Sequence, residues 1–120
     1  LESLLNLGYY IGINGCSLRT EESLIVAASI PNERLLIETD SPWCSIKNSH
    51  PSMEYVKTIF TGCTKKRDKY ESGYMVKDRN EPCTIVQVVE VLAALKDMDQ
   101  QELTDIIYDN TCKLFFKGEK

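Results

Sequence analysis

Leu35-Leu36-Ile37-Glu38-Thr39-Asp40-Ser41-Pro42-Trp43 decides the fold, because an apolar strand ends there abruptly in acid. A short aliphatic run stopped by a proline turn has the make-up of a buried strand in a parallel sheet. Side chains alternate along a strand, so Leu36, Glu38 and Asp40 fall on one face and Leu35, Ile37 and Thr39 on the other. Asp40 is the last residue of its face, at the carboxyl end. That end is where α/β barrels and open α/β sheets gather ligands and catalytic groups. Packing alone is a poor reason for an acid there.

Upstream, Gly8-Tyr9-Tyr10-Ile11-Gly12-Ile13 reads as another strand, and Asn14-Gly15 turns the chain. Thr20-Glu21-Glu22-Ser23 starts a helix whose apolar side is Leu24, Ile25, Ala27 and Ala28, and Pro31 stops it. Strand, helix and strand over about 30 residues is one βαβ unit, so its strands are expected to be parallel. Downstream, Pro51 suits a first helical turn, with Met53, Val56, Ile59 and Phe60 at helical spacing. Residues 61–79 form a long polar excursion without a period. Asn80-Glu81-Pro82 opens the clearest helix, with Ile85, Val88, Val89, Leu92 and Leu95 as its stripe. Val86 and Val91 widen that stripe, so this helix is expected to be buried on much of its girth. Asp99 and Glu102 are spaced as a capping box before a last helix lined by Leu103, Ile106, Ile107, Asn110 and Leu114.

Two parallel strands and four helices leave two bare sheet edges. The economical fold class is therefore α/β, the carboxy-terminal part of a TIM (β/α)8 barrel, with residues 1–120 as one portion of a single domain. A complete barrel runs to about 250 residues, so this would be roughly its last quarter plus an extension. The first residue is Leu, not Met, which fits a processed chain or an incomplete copy of something longer.

Bulk composition is that of an ordinary globular protein: 42% hydrophobic and 27% charged residues. The net charge of −4 argues against a general polyanion binder while leaving room for a local basic patch. No apolar run reaches the roughly 20 residues that span a bilayer, so no membrane partner is expected. Five scattered cysteines without a C-x-x-C pair fit free thiols in a reducing intracellular compartment, nucleus or cytoplasm. His50 is the only histidine, which rules out a Ser-His-Asp triad or a histidine-rich metal centre built from this chain alone once His50 is left as a loop residue.

Tyr9-Tyr10-Ile11-Gly12-Ile13, Ile30-Pro31-x-x-x-Leu35-Leu36-Ile37-Glu38-Thr39-Asp40-Ser41-Pro42, Arg79-Asn80-Glu81-Pro82 and Asn110-x-x-x-Leu114-Phe115 together carry a family resemblance. The chain resembles the carboxy-terminal part of TatD-type deoxyribonucleases, metal-dependent hydrolases on a TIM barrel. Lys69-Tyr70-Glu71-Ser72-Gly73 through Lys77-Asp78-Arg79 looks like the eukaryotic type. E-T-D-x-P with R-N-x-P at this separation is a strong signal, whereas either motif alone is weak. The resemblance implies hydrolysis of DNA phosphodiesters, typically as an exonuclease, with a divalent metal, commonly Mg²⁺. Asp40 matches the family's last metal ligand and is the catalytic and metal-binding candidate. A hard carboxylate suits Mg²⁺, and an acid there can also accept a proton from water.

The family's early His-x-His strand, bridging glutamate and two mid-chain histidines have no counterpart among these residues. The missing amino-terminal part of the barrel is thus an expected partner, DNA the substrate of the intact protein, and no catalysis is expected from the isolated chain. Two alternatives belong to other classes: a non-catalytic truncated product or interaction module, and a TIM-barrel metal hydrolase acting on a substrate other than nucleic acid.

Arg79 is read as a bidentate phosphate grip or as a salt bridge pinning its loop, and Lys77 as a second substrate contact. Asn80 and Glu81 are expected to cap their helix. The 65–79 loop holds six positive charges against three negative, with Tyr70 and Tyr74 interleaved; it is either a strand guide or a solvated loop. Glu38 is expected as a buried structural partner inside the barrel, because an unpaired charge there is costly. Trp43 either lines the mouth of the site or plugs the barrel top.

Overall fold

Two parallel strand pairs and four α-helices make up residues 1–118, which the computed structural model describes. Helix α1 (Glu2–Asn6) leads into β1 (Ile11–Ile13), α2 (Glu21–Ala28) and β2 (Leu35–Ile37). β1 pairs with β2 in parallel, Ile11 opposite Leu35 and Ile13 opposite Ile37, and Glu38 N–H adds one more bond to the Ile13 carbonyl at 2.9 Å. The βαβ expectation therefore holds, with β1 starting later than its run at Gly8 and β2 ending before Thr39. Among the described residues neither outer edge of this pair has a partner strand.

The faces of the pair differ as alternation requires. Ile13 and Leu35 are buried and Ile11 and Ile37 half-buried against one core, which Leu24 and Ala27 of α2 complete from above. On the opposite face Gly12 and Glu38 are exposed. A Cβ on Gly12 would meet Glu38 Oε2 at 3.1 Å, which puts the Glu38 carboxylate over that face. Glu38 thus stands on the sheet face turned away from the helices, the face that lines the interior of a barrel, and no described residue covers it.

Capping follows side-chain chemistry. Thr20 Oγ1 accepts from Ser23 N–H at 3.2 Å and Ser23 Oγ from Thr20 N–H at 3.1 Å, a reciprocal box at the start of α2. At its other end Lys96 Nζ donates to the carbonyl of Ala28, in the final turn, and to that of Ile30, just past it. Asp99 accepts from Glu102 N–H at 3.0 Å to open α4 (Gln100–Phe115). From α4, the buried Asn110 donates to the carbonyls of Asn32 at 2.8 Å and Leu35 at 2.9 Å, fixing the entry to β2.

Helix α3 (Ile85–Leu95) is buried over six consecutive residues, Val88 to Ala93, as the widened stripe requires. It begins later than Asn80-Glu81-Pro82 suggests, because Pro82–Thr84 form a 3-10 turn first. The helix expected over Met53, Val56, Ile59 and Phe60 is reduced to a 3-10 turn, Pro51–Tyr55. The reason is Glu90 of α3, whose carboxylate accepts from Lys57 N–H at 2.9 Å, Thr58 N–H at 3.1 Å and the Thr58 hydroxyl. Those N–H groups would otherwise bond back along a helix. Within the 61–79 excursion a second short parallel pair appears, β3 (Thr64–Lys65) with β4 (Met75–Val76). Its two-residue strands are too brief for any period to show.

Candidate active site

Asp40 stands in the turn three residues past the carboxyl end of β2, exposed, with a left-handed backbone (φ 52°), so the strand stops short of the position that alternation assigned to it. Asp tolerates this conformation better than most residues with a Cβ. The turn that follows is closed by Trp43 N–H donating to the Asp40 carbonyl at 2.8 Å, and the Ser41–Pro42 peptide is cis.

Asn14, one residue past β1, holds the Asp40 side chain. Its Nδ2 donates to Asp40 Oδ2 at 2.8 Å and lies 3.4 Å from Glu38 Oε1. Its Oδ1 accepts from Ser17 N–H at 3.1 Å, capping the 3-10 turn Gly15–Leu18. One buried amide therefore joins the ends of both strands and sets the carboxylate's orientation. The sequence marks Asn14 only as a turn residue; its place one step beyond a parallel strand was the available signal. The next residue, Gly15, lets the two strand-end loops touch. A Cβ there would lie 2.0 Å from the Cys44 carbonyl oxygen, an approach only glycine permits.

Asn80 braces the rim from the far side. Its Nδ2 donates to the carbonyls of Thr39 at 2.9 Å and Trp43 at 2.8 Å, its N–H to the Pro42 carbonyl at 3.0 Å, and its Oδ1 accepts from the Thr84 hydroxyl. This corrects the helix-cap expectation: both halves of the Asn80 amide are spent on the Asp40 turn and Thr84. The E-T-D-x-P and R-N-x-P segments are thus one hydrogen-bonded unit.

Arg79 Nη2 lies 3.3 Å from Glu81 Oε1, a partly exposed pair within its own loop. Lys77 is exposed, tied by its N–H to the Lys65 carbonyl at 2.9 Å. Lys65 pairs with Glu71 Oε2 at 2.7 Å and sits 4.4 Å from the Tyr74 ring centroid, so part of the loop's charge is used internally. Among the described residues Trp43 is 73% exposed.

His50 Nδ1 accepts from Lys47 N–H at 3.2 Å. Burial, then the positive charges of Arg19 and Lys47, push its pKa below the usual histidine value. The Cys44 thiol is pushed up by its hydrogen bond to Cys16, by burial and by the Cys16 and Asp40 charges, so it stays protonated. Among the described residues no three His, Cys, Asp or Glu side chains converge as a metal group would need. Asp40 offers one carboxylate with Oδ1 free of any hydrogen bond among those residues, which fits a single ligand position rather than a whole site.

Comparison with known proteins places this geometry. Residues 1–116 match the family model of TatD-related DNases. The chain is 44% identical to the deoxyribonuclease Tat-D of Schizosaccharomyces pombe, covering 92% of this chain and 35% of that protein. It is 47% identical to the deoxyribonuclease Tat-D of Saccharomyces cerevisiae, covering 96% and 31%. It therefore spans about a third of the length of the curated relatives it matches. The crystal structure of a hydrolase TatD family protein from Entamoeba histolytica superposes with a TM-score of 0.90 at 35% identity, covering 96% of this chain and 38% of that one. With parallel strands joined through a helix and an acid at the shared rim, the chain belongs to the TatD-related DNase family and folds as part of that family's TIM barrel.

Proposed function

We propose that this chain is part of a divalent-metal-dependent deoxyribonuclease that cleaves DNA phosphodiester bonds as an exonuclease, with Asp40 as a metal ligand. One observation carries the reading: an exposed carboxylate just past the carboxyl end of β2, oriented by a buried amide, in a chain of the TatD-related DNase family. When bound, a divalent ion, Mg²⁺ by the hardness of the ligand, polarises a phosphoryl oxygen and lowers the pKa of water. Asp40 supplies negative charge and a free oxygen at the rim. Asn14 keeps Oδ2 turned away from that task, and Asn80 prevents the turn from swinging. Glu38 adds a second carboxylate over the barrel face, near the same amide. Arg79 and Lys77 lie on the loop that leads into Asn80, where they can meet substrate phosphates once Arg79 exchanges Glu81 for the strand. The isolated chain holds too few ligands to retain the ion and is inactive by itself.

The direct test incubates the full-length protein with end-labelled single-stranded DNA. Stepwise digestion should require Mg²⁺, stop with EDTA and resume when Mg²⁺ is restored; digestion in EDTA, or none with Mg²⁺, overturns the reading.

Asn14 gives a second expectation. Asn14→Ser keeps an oxygen to cap the Gly15–Leu18 turn but is too short to reach Asp40. The Mg²⁺ concentration for half-maximal activity should rise about 10- to 100-fold, the usual cost of losing an outer partner of a ligand. The melting temperature should barely move. An unchanged metal requirement removes the orienting role.

A further inference from the structure

Beside the Asp40 turn lies a cavity of about 160 Å³ whose walls include Arg19, Trp43, Lys47, His50 and Asp78. We infer that this cleft is a phosphate subsite for the DNA strand, in which Arg19 and Lys47 hold one backbone phosphate group and Trp43 stacks on an adjoining base. The inference rests on the nuclease reading and names where the strand is gripped.

The size decides the class of ligand. Pockets for drug-sized molecules run to about 300–1,000 Å³, so a whole nucleotide does not fit inside. A phosphate group does, given that a water takes only about 30 Å³ of liquid volume. The charge decides its sign. Among the described residues neither Arg19 nor Lys47 has a carboxylate within ion-pair distance, and Asp78 is the one acid on the cleft wall. The pKa of His50, lowered first by burial and then by these same two cations, agrees with a positive potential there. In a chain of net charge −4, two unpaired cations facing one small cavity are poorly explained as general solubility.

Trp43 supplies the third element. Its indole lies on the cleft wall, 73% exposed among the described residues, and offers a flat face on which a base can stack. Every base has a π-face, so stacking there is tolerant of sequence. The cleft and Asp40 share one loop, because the same Pro42–Trp43 turn that closes on the Asp40 carbonyl forms the cleft wall. A strand seated in the cleft therefore passes the carboxylate.

The test uses the full-length protein carrying Asp40→Asn, so that bound DNA is not consumed, and a fluorescent oligothymidylate followed by anisotropy. Adding Arg19→Gln with Lys47→Gln should weaken binding about 10-fold or more and flatten the log K against log salt slope by about 0.7, the share of one phosphate contact on a single strand. Arg19→Lys with Lys47→Arg, which keeps both charges, should preserve the slope and controls for misfolding. Trp43→Ala should weaken binding about 10-fold and Trp43→Phe far less. Wild-type affinity and slope in the Gln pair overturns the subsite, even if the unmodified protein digests DNA. Weakened binding by the Gln pair in a protein that never digests DNA keeps the subsite and removes the nuclease reading.

Discussion

Asp40→Asn in the full-length protein should abolish most DNA cleavage, lowering kcat by about 10³-fold, beyond the roughly 10- to 100-fold that an outer partner of a ligand costs. The substitution is nearly isosteric. Its side-chain oxygen can still accept from Asn14 Nδ2, which now lies 2.8 Å from Asp40 Oδ2. The left-handed backbone suits Asn as well as Asp, and the Asn80 bonds to Thr39, Pro42 and Trp43 involve main-chain carbonyls. Folding is therefore preserved while the negative charge is lost. An amide oxygen is a weaker partner than a carboxylate for a hard cation, so excess Mg²⁺ should recover little of the rate. Near-wild-type turnover at saturating Mg²⁺ would falsify the assignment of Asp40 as a ligand.

Glu90→Ala has the largest expected effect on stability. The Glu90 side chain is 4% exposed and accepts from two backbone N–H groups and a hydroxyl of the 57–58 segment. Burial pushes its carboxyl up, but the Thr58 hydroxyl, the Thr58 and Lys57 N–H groups and the Lys57 charge outweigh burial and hold the pKa below 4.5. Truncation leaves three donors without their acceptor, at about 1–3 kcal/mol for each group that water does not reach. Since Lys57 is exposed and Thr58 half-buried, the net loss should be about 3 kcal/mol. It should appear as a lower urea midpoint in the full-length protein and as lost exchange protection at the Lys57 and Thr58 amides. Protected amides and an unmoved midpoint contradict the anchoring role. The pH dependence follows in sign. A carboxyl whose folded pKa is lowered stabilises the fold above its unfolded value, and that contribution disappears as pH falls through the folded value. The Glu90 contribution should thus be complete at neutral pH and vanish in acid below about 4.5.

Elements with a long period or a strong cap were legible without coordinates. Helices α2 and α4 begin at the Thr20 and Asp99 caps, and α3 follows the valine-rich stripe. The helix expected after Pro51 fails because Glu90, 33 residues away from Lys57, captures the amides that helix needs. β3 and β4 pair through single registers, Thr64 with Met75 and Lys65 with Val76, which local pattern does not encode.

By itself the sequence determined the βαβ unit, the family motifs and an acid just past the end of the second strand, since alternation and caps act between near neighbours along the chain. Tertiary structure alone decided that Asn14 grips Asp40, that Asn80 braces the rim instead of capping a helix, and that Arg19 and Lys47 face one cleft. Those contacts join residues 26 to 41 positions apart, or side chains on separate loops. Hydrogen bonds of that kind are chosen by which polar groups folding brings within about 3 Å, and not by any pattern a short window of sequence contains.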